Sequence, residues 1–272
     1  MNTVHKKYHT LRGILDDLQS AVIAFSGGVD STFLLRVAKD MLTENIIAVT
    51  FRSEIIPQTE IEEAQSLASE FGVKHIIINS AILHHKPFIA NDKQRCYYCK
   101  KFLFSELSDI AKKNNLKHII EGSNADDAHD YRPGSKVLKE MNILSPLAMA
   151  GLTKEEIRKL SRKMGLPTWN KPALACLATR IPYGIPISKD KIKRIAECEQ
   201  LLHELGFKQA RVRDHETIAR IEIPQSDISR LVKEKISSAV TTAFKKQGFK
   251  YICADIEGYR TGSMNEVLNN EK

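Results

Sequence analysis

A short apolar run ending in Ser26-Gly27-Gly28-Val29-Asp30-Ser31 constrains this chain more than any other stretch. Ala21 to Phe25 reads as a buried strand. Phe33, Leu34, Leu35, Val37, Ala38 and Met41 then mark the apolar face of a helix that begins just after the glycines. Strand, tight Gly-Gly turn and helix N-terminus together make a seat for an anion. The glycines let backbone N–H groups approach without side-chain obstruction. Ser26, Ser31 and Thr32 add hydroxyls, and the helix points its positive end at the same spot. An ordinary strand–turn–helix with an N-cap is the plainer account of the same geometry. The residue order is more selective. No Lys follows the glycines, and there is no G-x-G-x-x-G.

The first half repeats the pattern. Ile46 to Phe51 predicts a second strand, Glu60 to Phe71 a helix ended by Gly72, and Lys74 to Asn79 a third strand. Ala81 to Lys93 predicts a loop or short helical insert. Phe102 to Lys113 predicts a helix, His118 to Glu121 a fourth strand, and Ser123 to Ser135 a polar loop. Such alternation implies βαβ units and a parallel sheet. Thr153-Lys154-Glu155-Glu156 is a capping box opening a helix to Met164, stopped by Gly165-Leu166-Pro167. Trp169 to Pro186, rich in Pro and Gly, predicts an active-site loop and a link. Beyond it come a helix (Asp190 to Leu205), strands (Ala210 to Asp214 and Ile218 to Ile223), helices around Ile228 to Val232 and Ser237 to Lys246, and a strand (Tyr251 to Ile256). Ile218, Arg220 and Glu222 alternate as on one exposed face, and Glu257 to Asn265 is a polar tail that could fold back over the first domain. The expected fold is α/β: a Rossmann-like parallel-sheet domain over residues 1–184 and a smaller α+β domain over 185–272.

Composition narrows the setting. The 272 residues suit one large or two modest domains, and 42% hydrophobic content supports a real core. No apolar run reaches the ~18 residues a membrane-spanning helix needs. Met1 to Thr10 lacks the apolar centre of a secretion signal, so the expected location is the cytoplasm. The net charge of +8 suits an anionic ligand such as a nucleotide. The basic residues are spread along the chain, which argues against a nucleic-acid footprint.

In an open parallel sheet, ligands lie beyond the C-terminal strand ends. Ser26 to Ser31, Arg52-Ser53, Gly122 to Asp127 and the Cys176 loop can therefore converge. Asp30 is a candidate Mg²⁺ ligand or a helix N-cap; Asp126 and Asp127 are similar candidates or a solvated acidic turn. The five cysteines are odd in number, against a disulfide framework. Cys96-Tyr97-Tyr98-Cys99 is either a pair of buried thiols or part of a metal or redox site, with Cys176 the natural third ligand. Lys171 and Arg180 flank Cys176 and predict more thiolate there, against the plainer reading of an inert loop cysteine. Cys198 and Cys253 read as small buried residues. Arg211 and Arg213 share one strand face, suited to phosphate or carboxylates, or else exposed as a basic face.

S-G-G-x-D-S resembles the pyrophosphate loop of the N-type (PP-loop) ATP pyrophosphatases, which split ATP into AMP and pyrophosphate to activate a carbonyl or carboxylate. Nearly the whole chain resembles the LarE family of pyridinium dicarboxylate mononucleotide sulfur transferases. The motifs are S-G-G-V-D-S at Ser26, D-Y-R-P-G at Asp130, W-N-K-P-A-L-A-C-L-A-T-R-I-P-Y-G at Trp169, R-V-R at Arg211, A-R-I-E at Ala219 and G-Y-R-T-G-S-M-N at Gly258. That resemblance implies adenylation of the carboxylates of pyridinium-3,5-biscarboxylic acid mononucleotide and their conversion to thiocarboxylates, for the nickel-pincer cofactor of lactate racemase. It implies that Ser26, Gly27, Gly28, Asp30 and Ser31 hold ATP phosphates and metal, with Mg²⁺ on Asp30; Ser53, Gly122 and Asp127, beyond the strand ends, complete the expected ATP-binding set. It places the substrate phosphate on Thr179, Arg211 and Arg213. It also implies a homo-oligomer, with Glu199 and Glu222 either intersubunit or metal contacts, or bland surface carboxylates. Two sulfur sources occur in the family: a sacrificed cysteine, here Cys176, or sulfide on a [4Fe–4S] cluster held by three cysteines. Cys96, Cys99 and Cys176 resemble the second type. A cluster-dependent tRNA thiolase, an amidating synthetase and a nucleotide sensor are the alternatives.

Overall fold

The computed structural model describes residues 3–129, 134–172, 175–260 and 263–265. In chain order it forms α1 (Thr3–Leu18), β1 (Ala21–Ala24), α2 (Val29–Leu42), β2 (Ile46–Arg52), α3 (Gln58–Glu70), β3 (Lys74–Asn79), α4 (Lys86–Ile89), α5 (Arg95–Lys113), β4 (His118–Ile120), α6 (Ser135–Glu140), α7 (Pro146–Met149) and α8 (Lys154–Lys163). There follow α9 (Lys189–Glu204), β5 (Arg211–His215), β6 (Ile218–Glu222), α10 (Ile228–Leu231), α11 (Glu234–Lys246) and β7 (Tyr251–Ala254). Packing divides the chain into two units, Met1–Ile82 with Gln94–Leu174 and Leu83–Lys93 with Ala175–Lys272. The expected boundary at residue 184 lies later than this division. The reason is stitching by the insert: Asn91 Nδ2 donates to the carbonyls of Pro182 (2.8 Å) and Ile185 (2.7 Å), and Ile187 N donates to Ile89 O (2.9 Å).

In the first unit the strands run β3-β2-β1-β4, all parallel. The strands are apolar on both sides because helices cover both. Ile23, Phe25 and Ala48 pack with Leu34, Leu35, Ala64 and Leu67 on one face. Val22, Ile47 and Val49 pack with Phe104, Leu107 and Ala111 on the other. This is the expected Rossmann-like layer of a PP-loop domain. Two helices start earlier than their sequence patterns suggest. The apolar pattern of Leu11 to Leu18 predicts a helix leading into the first strand, and that helix begins at Thr3. The fifth begins at Arg95 rather than Phe102, because the amides of Tyr97 and Tyr98 bond the Gln94 carbonyl at 2.8 and 3.1 Å. Cys96 and Cys99 thus sit in the opening turns of a long helix.

In the second unit the order is β5-β6-β7, antiparallel then parallel. Phe207, Val212, Ile221, Phe244 and Phe249 form its core. Three expectations change here. Glu222 is fully buried instead of lying on an exposed face. Cys253 is exposed, because β7 is an edge strand, whereas Cys198 is buried as expected. The described part of the polar tail joins its own unit: Tyr259 N donates to Ile223 O at 2.8 Å, and Ser263 Oγ to Glu222 at 3.1 Å. Among the described residues no helix is long and apolar enough to cross a membrane.

Candidate active site

Beyond the C-terminal ends of β1 and β4 in the first unit lies a cleft of about 580 Å³. Ser26, Gly28, Asp30, Ser31, Gly122, Asp126 and Asp127 line it, as the strand-end rule predicts. Ser53 is not in the lining; its carbonyl instead accepts from Ile56 N at 3.1 Å in the turn after β2. Gly27 is also outside the lining and serves the backbone. It adopts φ +68°, and a Cβ there would stand 3.1 Å from Ala64 Cβ on α3. Gly122 is needed for a close approach: its Cβ would lie 3.0 Å from Ser31 N at the start of α2. Gly28 is the N-cap of α2, and Ser26 Oγ lies 3.0 Å from Ser31 Oγ. Hydroxyls and the helix N-terminus therefore face one opening, an arrangement suited to phosphate.

Asp30 does not cap the helix. Its Oδ2 accepts from Lys154 Nζ at 2.6 Å and Asn124 Nδ2 at 3.4 Å, while Oδ1 is buried without a hydrogen-bond partner. Burial raises the Asp30 pKa from its ordinary value, outweighing the pull of Lys154, and the charge of Asp127 adds to the rise. A buried carboxylate oxygen left without a donor is suited to a cation, so Asp30 fits the Mg²⁺ role that the resemblance implies. Asp126 and Asp127 are not simply a solvated turn. Asp126 Oδ2 accepts from Lys154 N at 2.8 Å, and Asp127 Oδ2 from Asn124 N at 3.0 Å.

Lys154, Lys100 and Glu121 also line the cleft and were not singled out from sequence. Lys154 carries a usable signal. A cation in the first turn of a helix opposes the macrodipole, so its presence there points to a partner elsewhere. Lys100 follows the C-x-x-C pair directly and stands 3.6 Å from Glu121. Lys171 is another anchor of the first unit. Its ammonium binds Glu60 (2.7 Å) and Glu63 (2.5 Å) and lies 3.4 Å from the Gly27 carbonyl. Burial opposes the charge of Lys171, but the two carboxylates prevail and raise its pKa.

Cys176, Thr179, Arg211 and Arg213 belong to the second unit. Thr179 Oγ1 donates to the Cys176 carbonyl at 2.8 Å, and Arg213 donates to the Thr179 carbonyl at 2.9 Å. Arg180 donates to Cys176 O at 3.3 Å and makes a buried two-pronged pair with Glu199 at 2.8 and 3.0 Å. Both cations that flank Cys176 in sequence are held by carboxylates, Lys171 by Glu60 and Glu63 and Arg180 by Glu199. Arg213 bonds Glu222 at 2.6 Å, and Arg220 bonds the same carboxylate at 3.0 Å. Glu199 and Glu222 are thus buried partners of arginines, not bland surface carboxylates. The Arg211 pKa is lowered by burial and then by Arg180. Cys96 is exposed, while Cys99 and Cys176 are half-buried. Among the described residues no group of three or more His, Cys, Asp or Glu side chains is arranged to hold a metal ion. The D-Y-R-P part of the motif at Asp130 falls outside the described residues.

Residues 20–91 match the family described as queuosine biosynthesis protein QueC. Over 97% of this chain and 99% of its own length, an uncharacterized Synechocystis protein is 38% identical. The pyridinium-3,5-bisthiocarboxylic acid mononucleotide synthase of Lactiplantibacillus plantarum is 37% identical over 98% of this chain and 97% of its own. The chain belongs to the LarE family, that of this synthase. An uncharacterized protein of Methanocaldococcus jannaschii, 31% identical over 88% of the chain, extends the likeness. The QueC match covers β1 to β3 and the loop at Ser26.

Proposed function

We propose that this LarE-family protein adenylates the carboxylates of pyridinium-3,5-biscarboxylic acid mononucleotide with ATP and converts them to thiocarboxylates. The observation that carries the reading is the cleft in which Ser26, Ser31, Asp30, Gly122 and Lys154 converge beyond the strand ends. ATP phosphates rest on Ser26, Gly28 and Ser31, and Asp30 holds Mg²⁺. Lys154 and Lys100 neutralise charge gathering on the departing pyrophosphate. A substrate carboxylate oxygen attacks the α-phosphorus, the bond to pyrophosphate breaks, and an acyl adenylate forms. A sulfur nucleophile then attacks the carbonyl carbon and AMP leaves with the carboxylate oxygen. In the second unit Thr179, Arg211 and Arg213 bind the substrate phosphate, and Glu199 and Glu222 hold arginines in place. The working form is a cytoplasmic homo-oligomer.

On the family resemblance, Cys96, Cys99 and Cys176 are the residues that would hold a [4Fe–4S] cluster. Cys96 and Cys99 stand at i and i+3 in the opening turns of α5, and Cys176 is a further free thiol. When bound, a [4Fe–4S] cluster supplies a sulfur for transfer without consuming a cysteine. The test is anaerobic turnover with ATP, Mg²⁺ and the biscarboxylic mononucleotide, following pyrophosphate and protein mass. Pyrophosphate release with unchanged protein mass is expected. Loss of ~34 Da from the chain would instead assign sacrifice of Cys176, and no substrate-dependent pyrophosphate would overturn the adenylation itself.

A further inference from the structure

Behind the phosphate loop runs a chain of hydrogen bonds that the chemistry above does not use. β1 and β2 keep parallel register to Ala24 opposite Val49, and Phe25 N still donates to Val49 O at 2.8 Å. The Phe25 carbonyl is taken by a side chain: buried Thr50, on β2, donates its hydroxyl to it at 2.7 Å. His75, on β3, reaches Thr50 Oγ1 with Nε2 at 2.8 Å. The single proton of Thr50 is committed to the carbonyl, so its oxygen accepts and His75 carries its proton on Nε2. His75 Nδ1 is then a buried lone pair with no hydrogen-bond partner. The Phe25 ring meets the imidazole edge-on, with centroids 6.0 Å apart. Packing alone does not account for a half-buried imidazole whose one N–H is spent on Thr50.

The Phe25 carbonyl and the Ser26 N–H belong to one planar peptide, so fixing one fixes the other. A carbonyl that accepts a hydrogen bond also makes its own peptide N–H a stronger donor. That N–H faces Ser31 Oγ at 3.4 Å, and the Ser26 hydroxyl faces Gly28 N at the same distance. We propose that His75 is a positioning residue for nucleotide binding: through Thr50 it locks the Phe25–Ser26 peptide in the orientation that presents the loop's donors to phosphate. This rests on the reading of the cleft as an ATP site.

Four variants test it: His75→Leu, His75→Gln, Thr50→Val, and the His75→Leu/Thr50→Val double. Calorimetry with a non-hydrolysable ATP analogue and Mg²⁺ gives affinity; hydrogen exchange gives the opening of the Ser26 to Gly28 amides without nucleotide. His75→Leu and Thr50→Val each weaken binding about 5–10-fold. The double variant is no weaker than Thr50→Val alone, because both break the same chain. His75→Gln, which restores an N–H donor, returns to within about twofold of wild type. Exchange at Ser26 to Gly28 speeds up in His75→Leu. Wild-type affinity and exchange in His75→Leu overturn the proposal, as do losses that multiply in the double variant. If the wild-type protein does not bind the analogue, the ATP reading falls, and the exchange rates alone then decide the role of His75.

Discussion

At Asp30 burial and ion pairing pull in opposite directions, and burial prevails. Its pKa in the folded protein lies above the unfolded value. As pH rises, the unfolded chain gives up its proton first. Stability therefore falls from the ordinary carboxylate pKa upward through the raised one, and the cost is complete above it. Asp30→Asn removes that cost. Thermal melts should show a Tm gain on the order of 2–4 °C at neutral pH, vanishing below the carboxylate range, while substrate-dependent pyrophosphate release is lost. An equal gain at both pH values would assign the effect to something other than ionisation. At Gly122 the limit is steric. The neighbour of an added Cβ is the Ser31 backbone, 3.0 Å away at N and 3.2 Å at Cα, which cannot rotate aside. Gly122→Ala should cost about 1–3 kcal/mol in a denaturant melt and about tenfold or more in ATP affinity by calorimetry. At this scale the loop was legible in sequence, because Gly27, Gly28, Ser26 and Ser31 act on their own neighbours. Lys154 was not: its partner Asp30 is 124 positions away.

Helix α8 shows how one element ties distant segments together. Three of its cations, Lys154, Arg158 and Arg162, fall on one face at i, i+4 and i+8. Lys154 pairs with Asp30 at 2.6 Å. Arg158 donates to the carbonyls of Trp169 and Lys171, both at 2.8 Å, and Arg162 lies over the Trp169 ring at 4.9 Å. The capping box read at Thr153 and Glu156 forms as expected, since it needs only local geometry. Arg158 and Arg162 meet the segment that follows the turn at Gly165 to Pro167, whereas Lys154 meets Asp30. Arg158→Ala strips the donors from two carbonyls of one short segment. It should cost about 1–3 kcal/mol of stability and speed hydrogen exchange selectively at 169–171. Uniform acceleration across the first unit would argue against that local role. Lys171 adds a second tie, to Glu60 and Glu63 on α3.

Over the whole molecule the proposed site residues are divided between the units: Cys96 and Cys99 in the first with the proposed nucleotide cleft, Cys176 with Thr179, Arg211 and Arg213 in the second. No cysteine lines the cleft. Cys96→Ser and Cys99→Ser should therefore abolish iron and sulfide uptake on anaerobic reconstitution yet keep ATP affinity within about twofold by calorimetry. Full iron loading in both variants would remove the pair from the cluster. Cys198 offers a contrast: burial pushes its thiol up to about 12, so it is inert at neutral pH. From sequence alone came the alternating strands and helices, the glycine loop, the capping box and the helix stops, because backbone preference and apolar period act between near neighbours. Tertiary structure decided which charges are buried and with whom. Glu222 disappears beneath Arg213 and Arg220, Glu199 beneath Arg180, and Cys253 emerges on an edge strand. The proposed phosphate seat at Ser26 was legible because its donors are contiguous; the ion pairs and the His75–Thr50 chain were not, because each joins residues on separate elements that only packing brings within hydrogen-bond reach.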